Sequence, residues 1–200
     1  GCEHISNINL IDSAEVVAIS DSNENSINNA KNLISNDIKI YSNNNEIFKN
    51  NEVDAFIIST PNFTHHDIIK EALKTKKHLL IEKPLCIKLE DCLEIKKLST
   101  SYPSVIWVAM EYRYMPPVQK MIQEIDSNKI GKLKMLSIRE HRFPFLKKVD
   151  DWNRFQINTG GTLVEKCCHF FDLMRLITNS EVTQVYASGD QSVNHLNENY

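Results

Sequence analysis

"VDAFIISTPNFTHHDIIKEALKTKKHLLIEKPL", residues 53–85, holds two apolar runs on either side of one helical pattern. The first run, "VDAFIIS" (53–59), is apolar at consecutive positions and stops at Thr60-Pro61-Asn62. The second, "KHLLI" (77–81), stops at Glu82-Lys83-Pro84. Short runs of this kind suit strands buried on both faces. Between them, "THHDIIKEALKTK" (64–76) sets Ile68, Ile69, Ala72 and Leu73 in one stripe. Strand, helix and strand in that order predict a βαβ unit and a parallel sheet.

The same alternation continues outward. "AEVVAIS" (14–20) reads as a strand that stops at Asp21, and "SVIWVAM" (104–110) as one that stops at "EYRY". "KLEDCLEIKKLS" (88–99) reads as a helix, with Leu89, Cys92, Leu93 and Leu98 between charges. Beyond this the pattern changes. "PPVQKMIQEIDSNKIG" (116–131) predicts a helix with prolines at its start and Gly131 at its end. "KLKMLSIREHR" (132–142) and "EVTQVYAS" (181–188) alternate as half-exposed strands do. "GTLVEKCCHFFDLMRLIT" (161–178) predicts one long amphipathic helix entered through Gly160-Gly161. Two domains are expected, an α/β domain over 1–111 and an α+β domain over 112–200.

Composition narrows the function. The 200 residues carry 42% hydrophobic and 24% charged side chains, as an ordinary globular protein does. A net charge of -3 gives no electrostatic case for nucleic acid or an acidic membrane surface. No apolar run approaches the roughly 20 residues of a membrane span. No signal peptide is read at the start. The five cysteines, Cys2, Cys86, Cys92, Cys167 and Cys168, fit neither a disulfide framework nor a zinc site. Reduced thiols in the cytoplasm and no metal are expected. The asparagine-rich stretches "NENSINNAKNLISN" and "YSNNNE" read as solvated surface.

Ligands of open parallel sheets bind outside the carboxyl ends of the strands. Three such ends here are polar: Asp21, the Thr60-Pro61-Asn62 turn, and Glu82-Lys83-Pro84. Each has a plainer reading. Asp21 or Asn62 could cap a helix, and Glu82 and Lys83 could be a surface ion pair worth little. Their shared sheet edge favours a ligand site. Asp21 also lies 20 positions after Gly1, close to the spacing between a dinucleotide-binding glycine loop and its ribose-binding carboxylate. Further on, Glu165 and His169 are four apart on the predicted helix, with Lys166 three before the histidine and Asp172 three after it. A carboxylate beside an imidazole suits proton transfer, although a buried histidine that merely hydrogen-bonds has the same pattern.

Together these segments resemble the Gfo/Idh/MocA oxidoreductases, the family of glucose-fructose oxidoreductase and inositol dehydrogenase. "STPNFTHHDIIKEALKTKKHLLIEKPL" carries the resemblance most specifically, and "WNRFQINTGG" and "GGTLVEKCCHFFDLMRLI" extend it. The resemblance implies a Rossmann domain followed by an α+β domain with an open, mostly antiparallel sheet. It implies hydride transfer between NAD, or NADP, and a sugar, cyclitol or related polyol. Lys83 matches the lysine near the nicotinamide, in an EKP motif (Glu82, Lys83, Pro84) whose Lys83–Pro84 bond is expected to be cis. His169 matches the catalytic histidine, with Glu165 where the family usually has Asp and Cys167 where it usually has Gly. Asp21 matches the ribose-binding acid, Gly1 a glycine of the phosphate loop, and Thr60, Pro61, Asn62 and His65 the TPNxxH cofactor segment. A catalytically silent or regulatory nucleotide-binding protein is the alternative that Glu165 and Cys167 suggest. Homo-oligomerisation through the second-domain sheet is also expected. The first Rossmann strand and most of the second sheet are expected to lie outside 1–200, so that "AEVVAIS" and "VDAFIIS" flank a gap.

Overall fold

The pattern at residues 53–85 folds as its burial requires. β3 (Ala55–Ile58) and β4 (His78–Ile81) pair in parallel, with Ala55 opposite His78 and Ile58 opposite Ile81. A 3₁₀ turn, Asn62–Thr64, leads into α4 (His65–Leu73), which crosses from one strand to the other. The computed structural model describes residues 1–141 and 146–189. In it β4 also pairs in parallel with β5 (Ile106–Val108), through the crossover helix α5 (Leu89–Ser99). The core is made of Phe56, Ile58, Ile69, Ala72, Leu79, Ile81 and Ile95. Full burial of each large aliphatic side chain contributes about 1.5–3 kcal/mol. The predicted α4 stripe points inward, with Ile69 and Ala72 fully buried and Ile68 and Leu73 packed beside them. On α5 the inward residues are Cys92 and Ile95, three apart on one face. Leu89, Leu93 and Leu98 are exposed, against the apolar set read from the sequence.

A second parallel pair joins β1 (Ala18–Ser20) to β2 (Lys39–Tyr41). No ladder joins it to the β3–β4–β5 sheet. A cavity of about 400 Å³ lies between β1 and β3, with α1 (Cys2–Ile8) along it. This agrees with the gap expected between "AEVVAIS" and "VDAFIIS". The asparagine-rich stretches are more than solvated surface. The side chain of Asn23 caps α2 (Glu24–Lys31) by accepting from the Ser26 N–H, and that of Asn43 caps α3 (Asn44–Ile47) by accepting from the Asn45 N–H. Asparagine is a weak helix former but a strong N-cap, so these helices start where the sequence looks least helical.

The chain divides into two compact units, Gly1–Val108 and Ala109–Tyr200. In the second unit, α6 (Pro116–Asp126) starts at its prolines as expected but stops five residues short of Gly131. Asn128 takes a left-handed conformation, φ 58°, just beyond it. A 3₁₀ segment (Val149–Arg154) and a single turn, α7 (Gln156–Thr159), precede the two glycines. Gly160 and Gly161 have φ of 78° and 81°, values that favour glycine. The single helix expected over 161–178 is instead two, α8 (Thr162–Glu165) and α9 (Cys168–Thr178). The Cys167 N–H reaches back to the Thr162 carbonyl, one residue beyond helical spacing, and α9 begins anew. The strands expected at 132–142 and 181–188 are not found among the described residues. Alternation prepares a strand, but only a neighbouring ladder makes one. Arg142, and residues 190–200 of the expected second domain, lie outside the described residues.

One side chain joins the two strand ends that matter most. His65, at the start of α4, is wholly buried. Its Nδ1 lies 2.8 Å from the Pro84 carbonyl and its Nε2 3.0 Å from the Thr60 carbonyl. The ring thus ties the turn after β3 to the turn after β4. The Lys83–Pro84 peptide within the second turn is cis, as the resemblance implies. We expect His65→Ala to cost about 3 kcal/mol, by leaving a cavity and removing the ring that bridges the Thr60 and Pro84 carbonyls. Urea denaturation should show a lower midpoint at an unchanged slope.

Candidate functional site

Asp21 follows β1, and its Oδ1 accepts a hydrogen bond from the Asn23 N–H at 2.8 Å. It is not the helix cap, since Asn23 has that role. The carboxylate is exposed and lines the cavity between the sheets, together with Gly1, His4, Ser20, Ser59 and Thr60. Gly1 is the N-cap of α1, and a Cβ there would meet the Ser59 Oγ at 3.3 Å. A side chain at Gly1 would therefore crowd the turn after β3.

Asn62 is buried and caps no helix side chain to backbone, so its plainer reading does not hold. Instead Thr64 closes the turn, its hydroxyl donating to the Pro61 carbonyl at 2.7 Å and lying 2.8 Å from the Thr60 hydroxyl. The Nδ2 of Asn62 is buried without a hydrogen-bond partner. Buried amide donors are normally satisfied, so this one is available to a group the chain itself does not provide.

Glu82 is more than a loose surface ion pair. Its Oε1 lies 2.7 Å from His4 Nε2 on α1, and its Oε2 accepts from the Lys83 N–H at 3.2 Å. Its own N–H donates to the Ile58 carbonyl at 2.8 Å, continuing the β3–β4 ladder by one residue. Burial would raise the Glu82 carboxyl, but His4 and then Lys83 outweigh it and hold the group below its ordinary value. Lys83 is half-buried at the same strand end.

In the second unit His169 is 2% exposed at the start of α9. Its ring stacks on Tyr112 with centroids 4.2 Å apart and planes 8° apart, and its Nε2 lies 3.4 Å from Glu111 Oε1. The buried Lys166 bonds the Tyr112 hydroxyl, lies 3.2 Å from Glu140 Oε1, and sits 4.5 Å over the Tyr112 ring. Asp172 holds Arg113 through two hydrogen bonds, to Nε and Nη2. Glu165 is buried at the end of α8. Because the helix breaks after it, i to i+4 spacing no longer relates it to His169. The sequence reading did not assign roles to Glu111, Tyr112, Arg113 or Glu140. The available signal was "EYRY", a polar and aromatic cluster directly after an apolar strand run.

The Glu82–His4 contact has a pH signature. A carboxyl lowered in the folded state adds stability above its unfolded pKa, about 4.3, and loses it as pH falls through the folded value. We expect Glu82→Gln to cost about 1 kcal/mol near neutral pH and progressively less as pH falls below the unfolded carboxyl value, with melts at a series of acidic to neutral pH values as the measurement.

Comparison with known proteins supplies the context. The family description "Oxidoreductase family, NAD-binding Rossmann fold" matches residues 1–110, and "Oxidoreductase family, C-terminal alpha/beta domain" matches residues 122–200. The chain is 32% identical over 143 residues to an uncharacterized oxidoreductase, YrbE, of Bacillus subtilis, covering 72% of this chain and 40% of that one. It is 27% identical over 189 residues to the myo-inositol 2-dehydrogenase of Thermotoga maritima, covering 94% and 55%. The crystal structure of a probable dehydrogenase from Thermotoga maritima superposes with a TM-score of 0.80 at 25% identity, over 98% of this chain and 58% of that one. The chain thus spans about half the length of the relatives it matches. With both of its halves matched in order, the chain belongs to the Gfo/Idh/MocA oxidoreductase family.

Proposed function

We propose that the protein is an NAD(H)-dependent oxidoreductase that acts on a CH–OH group of a cyclitol or related polyol. The observation that carries the reading is the set of polar groups at the strand ends of the first unit. Asp21 and Thr60 line one cavity, and Asn62 has a buried donor without a partner. Supporting evidence comes from the myo-inositol 2-dehydrogenase among the relatives. The residues present fit a dinucleotide: a carboxylate for ribose hydroxyls, a glycine at a helix start where a side chain would crowd Ser59, and an orphaned amide. When bound, the nicotinamide supplies the hydride acceptor or donor. Asp21 keeps acceptor capacity beyond the Asn23 N–H and would receive the ribose hydroxyls. Lys83 would orient and polarise the substrate hydroxyl. His169 would take or return its proton, with Glu111 as the carboxylate beside its ring, Oε1 lying 3.4 Å from Nε2. Cysteines that form no disulfide among the described residues accord with a reducing cytoplasmic setting. Among the described residues no helix is long and apolar enough to cross a membrane.

Two experiments test the reading. Fluorescence titration should give NADH at least about tenfold tighter than NADPH, because Asp21 repels a 2′-phosphate and no arginine follows it in "DSNENS". Asp21→Asn should narrow that ratio, and equal affinities in the wild type would overturn the assignment. Nicotinamide absorbance with a panel of inositols and sugars should show turnover. Lys83→Ala should lower it at least about tenfold, or about 1.4 kcal/mol of barrier, and His169→Ala should remove most of it. Glu165→Gln should do less harm. Cofactor binding without turnover on any polyol would favour the silent alternative.

A further inference from the structure

Cys86 lies two residues past Pro84, in the turn that leaves β4. It is 4% exposed and belongs to the core beside Ile81 and Ile95. Cys92 is six residues further on, in the first turn of α5, and is partly exposed. Its thiol lies 4.0 Å from the Cys86 carbonyl oxygen, and the Cys92 side chain packs against the core cluster to which Cys86 belongs. This is an unusual juxtaposition for two reduced cysteines. The Cys86 thiol is sealed in the core just past Lys83 and Pro84, and the Cys92 thiol, at the start of α5, is partly exposed.

We propose that Cys86 and Cys92 are a thiol–disulfide pair that reacts with low-molecular-weight disulfides, and that the oxidised form pins the turn following Lys83 to the start of α5. The inference is independent of the oxidoreductase reading. Cys92 is the attacking sulfur because it is the accessible one. Its thiolate attacks a small disulfide, forms a mixed disulfide and releases one thiolate. That thiolate takes the Cys86 proton as the Cys86 sulfur attacks the Cys92 sulfur and releases the second thiolate. Two protein thiols are oxidised, one small disulfide is reduced to two thiols, and one S–S bond forms for the one that breaks.

The electrostatics favour this order. The hydrogen bond from the Cys86 thiol, aided by the Cys86 backbone and His66, brings the Cys92 thiol down to about 7, against burial and the charge of Asp91. Giving that hydrogen bond, then burial and the nearby acidic charge, push the Cys86 thiol up. An attacking thiol works best when its pKa is near ambient pH. Around the pair, His66 Nε2 lies 2.8 Å from Glu94 Oε2, and His66 Nδ1 lies 3.9 Å from Asp91 Oδ1. Cys2, Cys167 and Cys168 provide internal controls, being cysteines elsewhere in the chain.

The test is equilibration of the protein in glutathione buffers of rising oxidised fraction, followed by alkylation and peptide mass spectrometry. The expected product is a Cys86–Cys92 disulfide that two reducing equivalents reverse. Cys86→Ser should instead leave Cys92 as a stable glutathione mixed disulfide, and Cys92→Ser should leave Cys86 unmodified. On the wild type, the rate of Cys92 alkylation should rise with pH around about 7, and in Cys86→Ser around the ordinary thiol value of about 8.5. The proposal fails if both thiols are alkylated in fully oxidised buffer, or if oxidation links only Cys2, Cys167 or Cys168. It also fails if wild-type Cys92 alkylates with an ordinary thiol profile. The wild-type measurements stand even if a serine variant does not fold.

Discussion

Strands that end in the interior leave carbonyls beyond the last rung of the ladder, and a buried carbonyl without a donor is costly. His65 answers this for two strands at once, with one ring nitrogen on Thr60 and the other on Pro84. One side chain thereby links the turn after β3 to the turn after β4. Everything else at this edge is arranged around that tie. Thr60 starts the turn that buries Asn62, and Pro84 follows the lysine and precedes Cys86. Two sequence motifs that look separate are thus one structural unit, because one residue of the first holds the backbone of the second.

The second unit solves a related problem with charge. An ammonium taken out of water needs close partners. Lys166 finds Glu140, the Tyr112 hydroxyl and the face of the Tyr112 ring. Holding Tyr112 by its hydroxyl fixes the ring, and the ring lies flat on His169. The orientation of the imidazole therefore depends on a lysine three residues earlier in the chain, through an aromatic side chain from a distant segment. Glu111, next to Tyr112, then faces the same imidazole.

Legibility followed burial. The β3–α4–β4 unit could be read because its apolar residues are consecutive in the strands and periodic in the helix. The candidate residues of the first unit could be read because they sit where those runs stop. β2, α2 and α3 could not, since β2 is only three residues, KIY, and α2 and α3 are mostly asparagine and charged, so that caps and pairing hold them where a periodicity reveals nothing. The break between Glu165 and Cys168 was hidden for the opposite reason. "TLVEKCCHFFDLMRLI" keeps a helical pattern throughout, and the break falls beside a buried lysine that reaches Tyr112 and Glu140, partners far away in the sequence. The Tyr112–Lys166–His169 group is a contact between segments over fifty residues apart, which no local spacing encodes.

The split of the first unit into two sheets also means that its stability is uneven. The core cluster comes entirely from residues 53–95, whereas in residues 1–52 the described buried apolar side chains are Ile5 and Ala30. Local opening free energies track buried apolar contacts. Amide hydrogens of β1 and β2 would then exchange with solvent through openings that leave β3, β4 and β5 intact. Asp21 belongs to the part that opens. A ligand held by Asp21 would bind only the closed form and would slow that exchange in proportion to its concentration over its dissociation constant. Occupancy at Asp21 would thus be felt first as protection of the β1–β2 ladder.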